Sequence, residues 1–203
     1  MKVVLATRNP GKIDELERIL APFDVTLLSL ADVQAYEPGP ETEATFEGNA
    51  LLKAREACAH TGLPCIADDS GLQVDALNAM PGVFSARWAG GHGDDAANLD
   101  LLLGQIQDVP DERRTARFVC AAAAVFPDGR ELVVEGVMDG ALIRQPRGDN
   151  GFGYDPAFVP QGESLTTSEM ASAAKDAISH RGRAFRALAP LLVEALARGA
   201  DQR

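Results

Sequence analysis

The sequence of 203 residues predicts an α/β protein with a mixed sheet. A strand, a helix and a second strand follow one another at the start of the chain, an order typical of parallel pairing. Two long apolar runs on either side of Pro127-Asp128-Gly129 indicate a hairpin, which adds antiparallel strands. Because no linker divides the chain, we expect residues 1–203 to form a single elongated domain of two lobes.

Strands alternate with helices in the first half of the chain. Pro10-Gly11 marks the start of the first helix, since proline is favoured in a first helical turn and an apolar stripe follows it. A Pro/Gly loop over Glu37–Glu41 precedes a second, longer helix. The predicted elements are strands over Val3–Thr7, Asp24–Leu28 and Cys65–Asp68, and helices from Pro10 and over Thr45–His60.

The second half of the chain combines the hairpin with three further helices. Leucines at helical spacing before Ile106 indicate one helix that begins near Asp94 and Asp95. Pro190 should kink or break the last helix. The other predicted elements are strands over Thr115–Phe126, Glu131–Met138 and near Ala157–Val159, and helices around Glu169–Ala177 and from Arg183 towards Ala197.

Composition bounds the partners that this chain can have. The formal net charge of −11 disfavours a large nucleic-acid footprint, whereas a small anion could still bind beside a few local bases or a divalent cation. Three cysteines without a C-x-x-C pair are typical of reduced, buried thiols. The longest apolar run, Phe118–Phe126, is far shorter than the ~20 residues of a membrane helix. We therefore expect a cytoplasmic protein that binds neither a membrane nor a nucleic-acid polymer.

The turn from Thr7 to Lys12 lies between a strand and a helix start. Unpaired N–H groups and the helix dipole favour an anion at such a place, and Lys12 adds a positive charge. It is not a P-loop, because Ala6 and Ile13 replace the first glycine and the Ser/Thr of that motif. The residues are compatible with a phosphate cradle and with a plain turn that carries a surface lysine.

Two polar residues fall on the inward stripe of the long helix. Asn49 and Lys53 share that stripe with Phe46 and with small apolar residues. Because an unpaired ammonium turned towards a core is costly, Lys53 should meet an anion or line a cavity. The alternative is a lysine whose stem is buried while its ammonium reaches the rim.

The acids of Ala67-Asp68-Asp69-Ser70-Gly71 are predicted to end a buried strand. Carboxyl ends of strands open onto the ligand crevice in α/β sheets, and a divalent cation relieves the repulsion between two carboxylates there. An acid at this place can also take a proton from water. The alternative is a solvated turn. Glu41 is a possible third carboxylate.

Two later segments could contact a nucleoside. The Gly-rich segment from Gly148 to Pro156 carries two aromatic residues, and an aromatic ring can stack on a base. The segment Ser179–Gly182 is predicted between two helices and offers His180 and Arg181 as donors to a 6-oxo group or to phosphate. The alternatives are an ordinary hairpin loop and a cluster of basic residues that complements a helix dipole.

The order of these motifs resembles the inosine/xanthosine triphosphate pyrophosphatase family, the house-cleaning nucleotide hydrolases. The resemblance extends over nearly the whole chain. It departs from the family pattern at Ala173-Ala174, where members often carry two glutamates, a change that we expect to alter surface charge and not chemistry. The matching pieces are Thr7-x-Asn9-x-x-Lys12, Thr45-Phe46, Asn49-Ala50, Lys53-Ala54, Ala67–Leu72, Pro81-Gly82-Val83, Ser85–Trp88, Gly151–Pro156 and Ile178–Gly182.

The resemblance implies an elongated mixed α/β fold with a central cleft, a homodimer, and Mg²⁺-dependent hydrolysis of ITP, dITP and XTP to the monophosphate and pyrophosphate. It implies that Asp69 is the general base and that Asp69 and Glu41 hold the metal. Two other functions remain open: hydrolysis of another modified nucleotide, such as a methylated pyrimidine triphosphate, and non-catalytic nucleotide sensing. The substrate-binding residues that the resemblance implies are Thr7, Arg8, Asn9, Pro10, Gly11, Lys12 and Lys53 for the phosphates, and Ser70, Phe152, Gly153, Tyr154, Asp155, Lys175, His180 and Arg181 for the nucleoside.

Overall fold

A computed structural model describes residues 2–23, 25–33 and 36–200 of the chain. Short 3-10 helices occur over Asp75–Leu77, Gly82–Arg87, Asp111–Arg113 and Asp155–Ala157. The strands are β1 (Lys2–Leu5), β2 (Thr26–Leu28), β3 (Cys65–Val74), β4 (Met80–Pro81), β5 (Thr115–Val125), β6 (Glu131–Leu142) and β7 (Phe158–Pro160). The α-helices are α1 (Pro10–Leu20), α2 (Phe46–Thr61), α3 (Asp95–Gln105), α4 (Ser172–Ile178) and α5 (His180–Ala200).

The sheet is mixed, as the sequence predicts. Its strand order is β2-β1-β3-β5-β6-β7, and β4 pairs with β3 outside this path. The strand β1 runs parallel to β2 and to β3, with Leu5 opposite Ile66. The pairs β3–β4 and β6–β7 are antiparallel. The predicted fold class, a mixed parallel and antiparallel sheet with flanking helices, is therefore confirmed.

The chain divides into two compact units. The first contains the described residues up to Asp69, Cys120–Gly136 and the described residues from Arg181 onward. Its main core is apolar and joins β1 and the start of β3 to the inner faces of α1 and α5. The fully buried members of this core include Leu16 of α1 and Phe185 of α5, and this packing holds both helices against the sheet.

The second unit contains Ser70–Val119 and Val137–His180. Its core combines the end of β3 with α3, β5, β6 and β7. The ring of Phe158 is fully buried there and lies 4.7 Å from the ring of Phe118. The helix α3 contributes apolar residues at helical spacing, as the sequence predicts, and begins at Asp95 after an Asp94 cap whose carboxylate accepts from Ala97 N–H at 3.0 Å.

The predicted end of β3 at Asp68 is wrong, because the strand continues to Val74. The Asp-Ser-Gly run has turn chemistry, but Leu72 and Val74 beyond it are fully buried and keep the chain extended. A glycine can occupy a strand interior where the packing of its neighbours holds the extended conformation. The two acids therefore lie in the middle of a strand and not at its tip.

The predicted boundary between the last two helices is also wrong. Ser179 alone separates α4 from α5, so His180, Arg181 and Gly182 form the first turn of α5. Pro190 does not end α5, because buried apolar residues on either side of it, such as Leu188 and Leu192, hold both parts of the helix on the core.

Other predicted boundaries shift by a few residues. The predicted strand residue Asp24 lies outside the described residues. The three cysteines are buried thiols, as predicted. Within residues 2–23, 25–33 and 36–200, no helix has the length and apolarity needed to cross a lipid bilayer.

Candidate active site

Two adjacent aspartates in the middle of β3 form the centre of the candidate site. Asp68 and Asp69 are 2% and 6% exposed. Because successive side chains of a strand point to opposite faces of the sheet, the two carboxylates meet different neighbours. Asp68 contacts residues of α1 and α5, whereas Asp69 contacts residues of α2. The pleat of one strand thus separates two neighbouring acids.

Asp69 is held by two residues of α2. The side-chain amide of Asn49 donates to Asp69 Oδ2 at 3.0 Å, and Lys53 Nζ lies 3.3 Å from Asp69 Oδ1. Lys53 Nζ also donates to Glu41 Oε1 at 2.9 Å and so joins the two carboxylates. Asn49 and Lys53 are four residues apart and share one face of the helix, whose start is capped by Thr45 Oγ1.

The pKa values of this set follow from burial and from charge. Burial raises the pKa of Asp69, Lys53 lowers it, and the negative charge of Glu41 raises it further, so that the net shift is upward. Burial alone would lower the pKa of Lys53, but Asp69, Asp68 and Glu41 raise it. Lys53 therefore stays a cation, and Asp69 becomes a better proton acceptor than an ordinary aspartate.

Asp68 lies in a buried ion network on the other face of β3. Lys12 Nζ donates to Asp68 Oδ2 at 2.8 Å, and Arg181 Nε approaches the same oxygen at 3.3 Å. Arg181 also pairs with Glu15 through Nη1. Burial raises the pKa of Asp68, but Lys12, Arg181 and Lys53 together hold it well below its usual range. Asp68 thus stays an anion at neutral pH and well into acid, and its pKa shifts in the direction opposite to that of Asp69.

The turn before α1 places Lys12 in the first turn of the helix. Asn9 caps the helix, because its Oδ1 accepts from Lys12 N–H at 3.3 Å, and Thr7 Oγ1 accepts from Asn9 N–H at 3.2 Å. Pro10 and Gly11 are the first two helical residues. The start of α1 and Lys12, whose side chain is 15% exposed, are therefore arranged as an anion site requires.

Arg8, in the same turn, contacts the chain segment that begins at Tyr36. Its Nη2 donates to the carbonyl of Tyr36 at 2.7 Å, and its Nη1 lies 3.6 Å from Glu37. The ring of Tyr36 stacks on His60 with 4.6 Å between centroids. The segment that leads to Glu41 is held in this way beside the start of α1.

A second cluster of predicted site residues lies in the second unit, around Asp155. Lys175 Nζ donates to Asp155 Oδ2 at 2.5 Å, the backbone N–H of Phe152 donates to the same oxygen at 2.9 Å, and Thr167 Oγ1 donates to Oδ1 at 2.8 Å. Lys175 Nζ lies 5.4 Å from the centre of the Phe152 ring. Asp155 therefore fixes an ammonium and an aromatic ring next to each other.

Backbone conformation supports this second cluster. Gly151 has a φ of +79°, and a Cβ added there would collide with the Asp155 carboxylate. The backbone N–H of Gly153 donates to Asp95 Oδ2 at 2.8 Å. Only glycine fits the chain at Gly151, and this explains that glycine of the predicted loop.

Three other predicted residues of the second unit have different surroundings. The Tyr154 hydroxyl donates to the carbonyl of Ser85 at 2.8 Å, and burial raises the pKa of this tyrosine. The His180 ring is 6% exposed and stacks on Phe118 at 4.9 Å. Ser70 is half-buried in β3. Tyr154 and His180 thus belong to the packed interior of their unit.

Three residues outside the predicted set of site residues contact members of that set, namely Asn49, Asp68 and Glu15. Asn49 and Asp68 were visible as polar residues in apolar surroundings, the first on the inward stripe of α2 and the second beside Asp69. Glu15 carried a weaker signal, a carboxylate three residues after Lys12 on α1. Its buried pairing with Arg181 joins parts of the chain that are 166 residues apart, a distance that no local pattern reveals.

The two carboxylates next to Lys53 fit a magnesium ion that takes only part of its ligands from the protein. Within the described ranges, no three His, Cys, Asp or Glu side chains are grouped to hold a metal. However, Mg²⁺ commonly takes one or two carboxylates and completes its shell with phosphate oxygens and water. Glu41 and Asp69 offer two such carboxylates, and the charge of Glu41 raises the pKa of Asp69, a repulsion that a cation relieves.

A mixed sheet that carries buried carboxylates beside lysines and a helix start is typical of the class of α/β enzymes that act on phosphorylated molecules. A sequence model of the Ham1 family matches residues 3–191. The chain belongs to the Ham1 family.

Relatives and solved structures agree with this assignment. A dITP/XTP pyrophosphatase of Mycobacteroides abscessus is 60% identical over 95% of each chain, and one of Streptomyces coelicolor is 56% identical over 96% of this chain and 98% of its own. The structure of the Staphylococcus aureus Ham1 protein has a TM-score of 0.86 at 35% identity and covers 96% of this chain and all of its own. A HAM1 protein from Coxiella burnetii has a TM-score of 0.84 at 39% identity and covers 96% of this chain and 99% of its own.

Proposed function

We propose that this chain hydrolyses deaminated purine nucleoside triphosphates, namely ITP, dITP and XTP, to the monophosphate and pyrophosphate. The names of its relatives, dITP/XTP pyrophosphatases at 54–60% identity, support this activity. The observation that carries the proposal is the split between the two acids of β3. Environments that push the pKa values of neighbouring carboxylates apart are typical of acid–base sites.

Asp69 is the general base of the proposed reaction. Its raised pKa and its place beside Lys53 suit an acid that accepts a proton from water. The water oxygen forms a bond to one of the two phosphorus atoms that the α–β bridging oxygen joins. The proton of this water goes to the Asp69 carboxylate. The bond from that phosphorus to the bridging oxygen breaks, and its electron pair leaves with the departing phosphate group. Atoms and charge balance without any oxidant or reductant.

The cations of the first unit bind the triphosphate. Lys12, the N-terminus of α1 and Lys53 supply positive potential in a chain whose net charge is −11. Both lysines already contact carboxylates, so their positions are fixed before substrate arrives. Thr7, Arg8, Asn9, Pro10 and Gly11 complete this phosphate-binding segment.

Glu41 and Asp69 would hold Mg²⁺. When bound, this ion neutralises part of the negative charge of the triphosphate. It is needed because the triphosphate carries more negative charge than Lys12 and Lys53 together can balance. Removal of divalent cations with EDTA should therefore abolish turnover, and added Mg²⁺ should restore it.

The proposed nucleoside-binding residues are Ser70, the segment Phe152–Asp155, Lys175, His180 and Arg181. Phe152 offers a ring for stacking and Lys175 a donor next to it, and Ser70, Gly153 and Asp155 belong to the same proposed set. Tyr154 and His180, which are packed in the interior, complete the set by supporting these residues from behind. Donors that face a 6-oxo group leave a 6-amino purine with donors opposite donors, and a mismatch of this kind can reject a substrate strongly. We further propose that the enzyme is a single-domain homodimer of the cytoplasm, and sedimentation tests the dimer directly.

A nucleotide panel tests the proposed function. ITP, dITP, XTP, ATP, GTP and a methylated pyrimidine triphosphate are each incubated with enzyme and Mg²⁺, and monophosphate and pyrophosphate are quantified. We expect kcat/KM for the three deaminated purines to exceed that for ATP and GTP by at least about 100-fold. Equal values would contradict the selectivity. Preference for the pyrimidine would indicate a different hydrolase, and tight binding without product would indicate a sensor.

A further inference from the structure

Asn49 is the most deeply buried polar residue next to Asp69. It is 0% exposed and lies in the first turn of α2. A buried side-chain amide must have its donors and acceptor satisfied, or it costs free energy. Here the amide oxygen accepts from the backbone N–H of Glu43 at 3.0 Å, and the amide nitrogen donates to Asp69 Oδ2 at 3.0 Å. Both ends of the side chain are therefore engaged.

The backbone determines which way this amide points. The N–H of Glu43 can only donate, so it requires the oxygen of Asn49 on its side. The NH₂ group is thereby directed at Asp69. Since Glu43 lies in the segment between Glu41 and α2, the same side chain joins this segment to the carboxylate of β3.

Two contacts then fix the Asp69 carboxylate. Asn49 engages Oδ2, and Lys53 Nζ lies near Oδ1 at 3.3 Å. Lys53 alone would not fix the orientation of the Asp69 carboxylate, because its ammonium also donates to Glu41 and its side chain is flexible. The planar amide of Asn49 is short and buried and restricts rotation of the carboxylate without adding a charge. Each carboxylate oxygen has two acceptor sites, so one remains on each for other donors.

We propose that Asn49 is a positioning residue, which holds the Asp69 carboxylate in the orientation that accepts a proton from water. This inference rests on the proposed function of Asp69 as general base. A merely structural Asn49 would tie Glu43 to α2, and any side chain that accepts from Glu43 N–H would then suffice. A positioning Asn49 must also donate, and that difference makes the two roles separable.

The test is the isosteric variant Asn49→Asp. As a carboxylate it keeps the shape and the acceptor for Glu43 N–H and has no donor for Asp69. It also adds a negative charge beside Asp69, and the comparison with Asn49→Ala separates that effect from loss of the donor. Steady-state kinetics with dITP should show a fall in kcat of at least about tenfold, because misplacement of a general base forfeits part of its contribution. KM should change less than threefold, since the lysines that bind phosphate remain. Binding of an α,β-non-hydrolysable dITP analogue should likewise persist.

Asn98→Asp is the matched control. Asn98 is also buried, at 1% exposure, and its Oδ1 accepts from the backbone N–H of Ala89 at 2.7 Å. Its amide nitrogen has no partner within the described part of the chain, so loss of that donor should leave kcat within about twofold of wild type. Asn49→Ala is measured beside it, because it removes the donor without adding a carboxylate. Thermal unfolding shows that each variant is folded at the assay temperature.

The outcomes separate the inference from the proposed function. Wild-type kcat in both Asn49→Asp and Asn49→Ala overturns the positioning role while the hydrolase stands. A wild-type protein that does not cleave dITP overturns the proposed function itself. If Asn49→Asp does not fold, Asn49→Ala is compared with Glu43→Pro, which removes only the N–H that Asn49 accepts. A kcat that is lower in Asn49→Ala than in Glu43→Pro, with retained analogue binding, supports the role, and equal kcat values in the two variants overturn it.

Discussion

At the scale of single residues, the neighbours of a carboxylate determine what it can do. Asp68 and Asp69 are adjacent in sequence and similarly buried, yet their pKa values shift in opposite directions. Asp68 faces Lys12 and Arg181, and these cations outweigh the cost of its burial. Asp69 faces a single lysine that it shares with Glu41. One acid is therefore suited to hold cations in place and the other to accept a proton.

The free energy of unfolding should depend on pH because of the ion network around Asp68. Because Asp68 has a folded-state pKa below the ordinary aspartate value of 3.8, acid protonates the unfolded chain first. The contribution of the Asp68 carboxylate to the free energy of unfolding is complete at pH values above 3.8, and it is lost as pH falls through the folded-state pKa. Loss of one partner of a buried ion pair costs about 3–5 kcal/mol at neutral pH, so Asp68→Asn should lower the free energy of unfolding by that amount.

Urea unfolding in EDTA measures this difference between pH 7 and pH 3. We expect the gap between wild type and Asp68→Asn to be constant from pH 7 to about pH 5 and to shrink below pH 4. A gap that grows in acid would contradict the assignment of Asp68 as an anion. Asp75→Asn, at a carboxylate whose side chain is 46% exposed, provides the comparison of a surface acid.

At the scale of elements, periodicity and turn chemistry predict most of the fold. The start of α1, the capped α2 and the long pair β5 and β6 follow from local patterns. The length of β3 does not, because Asp68-Asp69-Ser70-Gly71 is polar and turn-like, and only burial of the residues beyond it keeps the strand extended. The continuity of α5 through Pro190 likewise depends on tertiary packing.

The candidate site follows the same division. Short-range patterns mark Lys12, Lys53 and Asp69 as candidates, because each lies where local structure makes a charge costly or useful. The resemblance to the pyrophosphatase family, and not the patterns alone, implies their roles. The partners of Arg181 could not be found in this way, since Glu15 and Asp68 are distant in sequence and meet it only in the folded core. Local sequence thus indicates which residues are unusual, and the fold determines what they contact.

Arg114 joins the ends of two elements in the second unit and should matter for stability alone. Its side chain is 2% exposed and donates to the carbonyls of Ile106 at 2.7 Å, Leu142 at 2.8 Å and Ile143 at 3.3 Å, at the ends of α3 and β6. Arg114→Leu leaves these buried carbonyls unsatisfied. We expect it to lower the free energy of unfolding by about 2–4 kcal/mol.

Arg144→Leu is the control for this prediction. Arg144 also makes three hydrogen bonds, to Asp111, Gln107 and Val109, but its side chain is 47% exposed, so water can replace the lost donors. Its loss should cost less than about 1 kcal/mol. Equal losses in the two variants, measured by urea unfolding, would show that burial of the hydrogen bonds at Arg114 is not what stabilises this region.

At the scale of the whole molecule, the net charge is negative, but the charge that matters for binding is a local group of cations. The chain has 30 acids and 19 lysines and arginines. Three of the cations nevertheless lie against carboxylates in the first unit, namely the half-buried Lys12 and Lys53 and the buried Arg181. A protein of this charge attracts a triphosphate only where such cations are concentrated. The proposed activity therefore depends on a few positions around β3, and the rest of the surface can remain acidic.

The central claim, that Asp69 accepts the proton of the attacking water, is tested most directly by Asp69→Asn. Pyrophosphate release from dITP is measured under single-turnover conditions with Mg²⁺, beside binding of the non-hydrolysable analogue and beside Asp75→Asn as the control. We expect the rate to fall by about 100-fold or more in Asp69→Asn, with analogue binding retained and with Asp75→Asn unchanged. A rate within about threefold of wild type in Asp69→Asn would contradict the account.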